Sequence, residues 1–316
     1  MDRLACIKSF VRTVETGSFS AVAREMQTTQ PTISKQIAAL EKYLDVQLLT
    51  RSTRKLQLTE AGTQFYTHCQ EILDTVAAAE ASVGKRQEPS GNLGISCPVS
   101  FGRLMIVPRL KTFLSRYPQI KVDLMMSDHF VNLVEEGVDV AIRIGTNQDT
   151  SLIAERIGTT RLVTIAAVSY LEQVGEPQSP QELIDHNCIV FTRLSTPNEW
   201  HFQKSLGSSI VVKVKGNLRV DNSVAVRQAV LSGFGIAVAP IWLFGNAINT
   251  AKLKVLFPTY QPNPMPIYAV YRRGRFQPAK VSCFIEYLAS EFRIDPWVSD
   301  FGNFQGNNRT SKGEKS

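Results

Sequence analysis

No apolar run in these 316 residues approaches the roughly 20 that a membrane-crossing helix needs, which excludes a helical membrane protein. The five cysteines, Cys6, Cys69, Cys97, Cys188 and Cys283, are scattered, odd in number and without a C-x-x-C pair. A disulfide framework and a zinc ribbon are therefore not expected, and reduced, buried thiols are. The four histidines, His68, His129, His186 and His201, show no i, i+4 spacing, so no metal site is implied. There is no G-x-S-x-G elbow and no G-x-x-x-x-G-K loop. Gly233-Phe234-Gly235 is a fragment of a dinucleotide fingerprint, placed before a strand-like run instead of after one. An α/β enzyme is accordingly the weakest reading, and no cofactor is expected. The first residues carry no charged-then-apolar export pattern, so the chain is expected to stay in the cytoplasm.

Hydrophobic residues make up 43% and charged residues 20%, the balance of a globular chain with room for roughly two or three domains. Thirty-five Lys and Arg against 28 Asp and Glu leave +7, which permits a polyanionic partner once the charge is located.

The first sixty residues are the most informative. Ile7, Phe10, Val11 and Val14 put one apolar stripe on a first helix, stopped at Glu15-Thr16-Gly17. Ser18 stands where an N-cap belongs, ahead of a second short helix through Met26. After the polar turn Gln27-Thr28-Thr29 a third helix begins, with Pro31 in its first turn and Ile33, Ile37, Leu40 and Leu44 marking its buried face. Two short helices around a tight turn form a helix-turn-helix. Its outward residues, Thr29, Gln30, Pro31, Thr32, Ser34, Lys35 and Gln36, suit base edges and phosphates, the alternative being a bundle with a merely solvated face. Val46–Leu49 and Lys55–Leu58 read as two short strands around a basic tip. Such a wing would place Arg51, Arg54 and Lys55 against phosphates or a narrow minor groove.

The motifs Phe19-Ser20-Ala21-Val22-Ala23, Gln30-Pro31-Thr32-Ile33-Ser34-Lys35-Gln36-Ile37-Ala38-Ala39-Leu40-Glu41, Gln47-Leu48-Leu49-Thr50-Arg51-Ser52-Thr53-Arg54 and Leu58-Thr59-Glu60-Ala61-Gly62 resemble the LysR-type transcriptional regulators. Asp45, where that family usually has Gly, and Met26, where it usually has Leu, depart from the pattern off the reading face.

From Thr59 to about Arg86 the chain reads as one helix, with Phe65, Cys69, Ile72, Val76, Ala79 and Val83 at heptad steps. That seam reads as a coiled coil joining two chains, the alternative being a long helix packed on its own domain. The family resemblance implies pairing through this helix, hence a homodimer, a homotetramer by extension, and a pseudo-palindromic DNA site. Gly84 to Gly91 breaks the pattern as a hinge.

Beyond it, strand-like and helix-like runs alternate, which argues for α/β domains with mostly parallel sheets. Ser100 is an N-cap candidate for a helix through Arg116, Phe130–Glu136 reads as a helix, and Pro278–Arg293 as a last one. The segments Val107-Pro108-Arg109-Leu110, Tyr117-Pro118, Glu136-Gly137-Val138-Asp139-Val140-Ala141-Ile142-Arg143-Ile144-Gly145 and Gly233-Phe234-Gly235-Ile236-Ala237 resemble the LysR effector domain. The resemblance implies a mixed architecture: an all-α-dominated winged helix-turn-helix over 1–58, a linker helix over 59–88 and a hinge over 89–93. A two-lobed α/β effector-binding domain, like the type 2 periplasmic binding proteins, would span 94–294, with lobe I at 94–166 and 270–294, lobe II at 167–269, and a disordered tail over 295–316. The crossings are placed near Ala166-Ala167 and Ala269-Val270. A cleft between the lobes would take a small, anionic effector at strand ends and helix N-termini. Ser100, Phe101, Ser127, Asp128, Arg143, Gly145 and Thr146 would line one lobe; Phe191, Thr192, Arg193, Asp221 and Asn222 the other. A thiol-based redox switch on the same architecture is the competing reading; it needs an activated cysteine, for which Cys188 near His186 is the candidate.

Overall fold

The structure, a computed structural model, describes residues 1–51, 56–82, 88–129, 133, 136–145, 151–204, 209–273 and 277–298. The chain divides into two compact units, Met1–Pro89 with Gly274–Ala279, and Ser90–Arg273 with Lys280–Ser316.

In the first unit, α1 (Arg3–Thr16) starts where the Asp2 carboxylate accepts from the Ala5 N–H and ends at Gly17, whose φ of 64° favours glycine. Ser18 Oγ accepts from the Ala21 N–H to start α2 (Phe19–Glu25), as its sequence position implies. The third helix, α3 (Gln30–Leu44), carries Pro31 in its first turn and ends at Asp45 in the left-handed region, φ 55°. Phe10, Val22, Ile33, Leu40 and Leu48 form a buried core, each contributing about 1.5–3 kcal/mol by leaving water.

A hairpin follows, β1 (Leu49–Arg51) antiparallel to β2 (Leu56–Leu58), with Leu49 opposite Leu58. Glu41 fixes it to α3 by accepting from the Leu48 and Leu49 N–H groups at 2.9 and 3.0 Å. The wing tip, including Arg54 and Lys55, lies outside the described residues.

The helix α4 (Glu60–Ser82) begins at Thr59, whose hydroxyl donates to Gln47 O at 2.7 Å and accepts from the Gly62 N–H at 2.8 Å. Gly62 is required here, because a Cβ would lie 2.0 Å from Leu48 O. The start of the heptad seam is used inside the unit. Phe65 packs 5.8 Å from the Phe10 ring, and Cys69 is fully buried in the same core. Ile72 is 42% exposed, Val76 and Ala79 are half-buried, and Val83 lies outside the described residues.

The second unit opens with β3 (Gly91–Cys97). A helical run follows: α5 (Val99–Phe101), a π-helical turn (Gly102–Ile106) and α6 (Val107–Arg116), continuous in right-handed conformation. Next come β4 (Ile120–Met126), β5 (Val140–Ile144), β6 (Leu152–Thr160), β7 (Leu162–Ala167) and α7 (Val168–Val174). Then follow β8 (Ile189–Phe191), β9 (Glu199–Lys204), β10 (Ser209–Lys213), β11 (Leu218–Val220), α8 (Ser223–Leu231) and β12 (Ala237–Pro240). The 3-10 turn Ile241–Leu243, β13 (Leu253–Leu256), β14 (Tyr260–Pro262), β15 (Met265–Arg272) and α9 (Ala279–Ile294) complete the unit. Most of the helix expected over 130–136 lies outside the described residues.

One lobe is a five-stranded sheet in the order β4-β3-β5-β15-β6; the other holds the sheets β12-β7-β13, β11-β8 and β10-β9-β14. The sheets are mixed, not mostly parallel: β3 runs parallel to β4 and β5, and β8 to β11, while the remaining pairings are antiparallel. Alternation of helix and strand signals cannot reveal this, because β15 returns from the second lobe to pair with two earlier strands. The lobe boundaries also move. β6 pairs with β15 from Leu152 to Thr160 around a bulge at Ile157, and all of β7 pairs with β12 or β13, so the chain crosses at Arg161. It returns between Pro262, still paired with β9, and Met265, already paired with β6. Positions 166/167 and 269/270 fall inside β7 and β15. The shift follows from β6, an edge strand whose exposed Ala154, Glu155 and Arg156 give it little apolar pattern.

The C-terminal boundary is corrected as well. Asp295 pairs with Arg109, Trp297 packs on the core, and Val298 is fully buried. Order therefore continues past 295; residues 299–316 lie outside the described residues.

Candidate functional site

Two surfaces concentrate the residues singled out above. On the first unit, Thr29, Gln30, Pro31, Thr32 and Lys35 are exposed along the first turns of α3, and Ser34 is half-buried among them. Thr29 and Thr32 hydroxyls hydrogen-bond each other at 2.8 Å, and Pro31 contributes no N–H to satisfy. Gln36 does not belong to this face. Its Oε1 accepts from the buried Ser9 hydroxyl at 2.6 Å, tying α3 to α1. Arg51 closes β1, whereas Arg54 lies outside the described residues.

On the second unit, the two lobes enclose a cavity of about 390 Å³. Ser100, Phe101, Ser127, Asp128 and Arg143 line it from the first lobe, and Phe191 and Arg193 from the second. Gly145 and Asp221 do not line it. Gly145 makes a φ +97° turn behind Met265, whose side chain takes the lining place. Asp221 instead faces Arg193, 3.4 Å from its guanidinium. Thr146 lies outside the described residues.

Ser100 is not an N-cap. The helix starts at Val99, and it is Asp128 that accepts from the Val99 N–H, at 3.0 Å. The Ser100 hydroxyl is left buried, 2% exposed, with no hydrogen-bond partner among the described residues. Burial pushes the Arg143 guanidinium below its usual range, since the charged form loses solvation.

Sequence reasoning missed much of the wall: Leu162, Trp200, Val238, Trp242, Leu243 and Met265. Trp242 was within reach of the strand-end rule applied elsewhere, because it follows β12 by two residues; the others have the apolar character of core positions. The Trp242 indole is 5% exposed, stands edge-on to Phe101 at 5.2 Å, and its Nε1 has no partner among the described residues.

A clasp joins the two lobes at Asp128, one of the lining residues. Asp128 uses its second oxygen to accept from Asn222 Nδ2 at 3.0 Å, while Asn222 Oδ1 accepts from the Val224 and Ala225 N–H groups and so caps α8. One carboxylate and one amide thus join the first turns of helices from both lobes. Beside them, the Arg193 guanidinium lies 3.3 Å from both ring nitrogens of His129.

The thiols are arranged for packing. All five cysteines are buried and free. Burial pushes Cys69, Cys97 and Cys188 up to about 12 and Cys283 to about 11. His186 faces the Tyr170 hydroxyl at 3.2 Å, and Cys188 Sγ donates to Leu183 O, so nothing in this arrangement activates Cys188. Among the described residues no cluster of His, Cys, Asp and Glu could hold a metal.

Residues 4–63 match the bacterial regulatory helix-turn-helix protein, lysR family, and residues 86–293 match the LysR substrate binding domain. The HTH-type transcriptional activator AaeR of Escherichia coli K12 is 34% identical over 293 residues, covering 92% of this chain and 94% of its own. The HTH-type transcriptional regulator CrgA of Neisseria meningitidis is 33% identical over 284 residues, covering 89% and 94%. Among solved structures, full-length AphB, a virulence activator of Vibrio cholerae, has a TM-score of 0.57 at 30% identity, covering 91% of this chain and 98% of that one.

Proposed function

This chain belongs to the LysR family of transcriptional regulators, and on that premise we propose that it reads DNA with the first turns of α3 and answers to a small anionic effector held between its two lobes. The observation that carries the reading is the division of labour along α3. Ile33, Ile37 and Leu40 are buried and Gln36 is bound inward, while Gln30, Thr32 and Lys35 stay exposed over the first two turns. A helix held so firmly by its other face can offer these side chains to the major groove with its backbone already ordered. Gln30 serves adenine, Lys35 guanine or phosphate, and the carbons of Pro31 and Thr32 a thymine methyl. Arg51 and Arg54 act from the wing on the backbone.

The protein works in the cytoplasm as a homodimer, assembling further to a tetramer on a pseudo-palindromic operator, and its effector leaves chemically unchanged. Gln30→Ala, assayed on a duplex carrying the selected site, is expected to lose about 1–3 kcal/mol and to relax preference at one base position. Lys35→Ala should weaken binding and flatten its salt dependence. Wild-type affinity and salt slope in both folded variants would remove α3 from the interface.

A further inference from the structure

One face of α1 grips both helices of the helix-turn-helix. Ser9 and Arg12 stand one turn apart on it. The Ser9 hydroxyl, in a residue 1% exposed, donates to Gln36 Oε1 of α3 at 2.6 Å and lies 3.6 Å from Met26 Sδ, where α2 ends. Arg12 donates from Nε and Nη2 to the two carboxylate oxygens of Glu25, the last residue of α2, both at 2.7 Å. The turn between the two helices bends through Gln27 in the left-handed region, φ 52°, and the Thr28 N–H closes it by donating to Ala23 O at 2.8 Å. The two grips differ in kind. Arg12 and Glu25 are partly exposed, so salt screens their attraction. Ser9 and Gln36 are uncharged, so salt leaves their bond intact.

Ile33, Ile37 and Leu40 press α3 onto the core, but apolar contact has no preferred direction. A hydrogen bond does. Gln36 follows Thr32 by one turn on the same flank and adjoins Lys35. A helix with its side chains has a radius of about 5–6 Å, so turning α3 by about 10° carries a side-chain tip about 1 Å. Hydrogen bonds to base edges do not survive such a shift, since they hold only within about 2.7–3.2 Å. Phosphate contacts depend mainly on charge and lose less.

We propose that Ser9 and Gln36 are positioning residues for base readout: their hydrogen bond sets the rotation of α3 about its own axis, and with it the aim of Gln30, Thr32 and Lys35. The inference rests on the DNA reading above and deepens it, because part of the sequence discrimination then belongs to a buried serine that DNA cannot touch. Without the bond, α3 keeps its apolar seat and its charges but loses a fixed azimuth. Sequence preference should fall while attraction to any duplex persists.

The test compares full-length Ser9→Ala, Gln36→Met and the double variant with the parent. Each is titrated with a duplex carrying the selected site and with a scrambled duplex, over a range of salt, and its denaturant midpoint is measured. Each single variant is expected to lose about fivefold or more in the ratio of the two affinities, the low end of what one good base contact is worth. Affinity for the scrambled duplex and its salt slope should stay as in the parent. The double variant leaves no polar partner orphaned, so its midpoint should recover above those of the singles. Its affinity ratio should stay low, because the tie is still absent. That separation of stability from discrimination is what a merely structural role would not produce. A ratio that recovers along with the midpoint in the double variant overturns the proposal. So does a parental ratio in Ser9→Ala; if Gln36→Met alone loses it, Gln36 acts by direct contact instead. No preference for the selected site in the parent protein would strike the DNA reading itself, and the inference with it.

Discussion

Asp45 occupies the left-handed position just past α3, with its own N–H and that of Val46 both donating to Glu41 O. Aspartate tolerates this conformation, but glycine does so with no Cβ penalty. Asp45→Gly should therefore raise the stability of the first unit by about 1 kcal/mol, read as an increased denaturant midpoint; an unchanged or lowered midpoint would mean that the aspartate side chain contributes more than its backbone costs. The thiols make the opposite kind of statement. Their pKa values are raised on folding, so the unfolded chain ionises first as pH climbs, and it then binds fewer protons than the native one. Their stabilising contribution is complete below about pH 9 and is lost on the way to about 12. Native protein at pH 8 should react with a thiol reagent only as fast as it opens; rapid modification of any one cysteine without denaturant would restore the redox-switch reading.

Among the elements, α4 carries two tasks in sequence. Its first turns complete the core around Phe10 through Phe65 and Cys69, and its later turns present Ile72, Val76 and Ala79. Replacing Ile72 and Val76 with Glu should therefore dissociate the proposed dimer in sedimentation while far-UV circular dichroism stays native, because neither residue belongs to that core. Assembly equal to the parent's would place the dimer contact elsewhere. The same helix shows what a sequence discloses and what it conceals. A heptad pattern fixes which positions share a face, but the same face can meet another chain or the chain's own Phe10, which lies 55 residues earlier than Phe65. The helix-turn-helix was legible because its signals are local: the Ser18 cap, Pro31 in a first turn, and an apolar face at 3.6-residue spacing. Gln36 was misplaced because its partner, Ser9, is distant in sequence. In the cleft, polar residues at strand ends were legible, whereas Trp200, Leu243 and Met265 were not, since an apolar cavity wall and an apolar core have the same composition.

At the scale of the whole molecule, the clasp of Asp128 and Asn222 is a direct side-chain hydrogen bond between the two lobes, and its loss is expected to ease their opening. Asn222→Asp keeps an oxygen to cap α8 but turns the donor facing Asp128 into a second carboxylate. Hydrogen exchange should then rise at the first turns of α5 and α8 relative to the five-stranded sheet, with the midpoint of thermal unfolding little changed. Unaltered exchange at both turns would show that the clasp does not limit lobe opening. The reading of the molecule as a regulator rests most heavily on DNA recognition by a paired α3 face, and that is tested most directly by selecting bound duplexes from a random pool with the full-length protein. The account predicts an enriched motif of two inverted half-sites whose centres lie about one helical turn, 10–10.5 base pairs, or a multiple of it apart. Recovery of no sequence preference, or of a single half-site without an inverted mate, would contradict it.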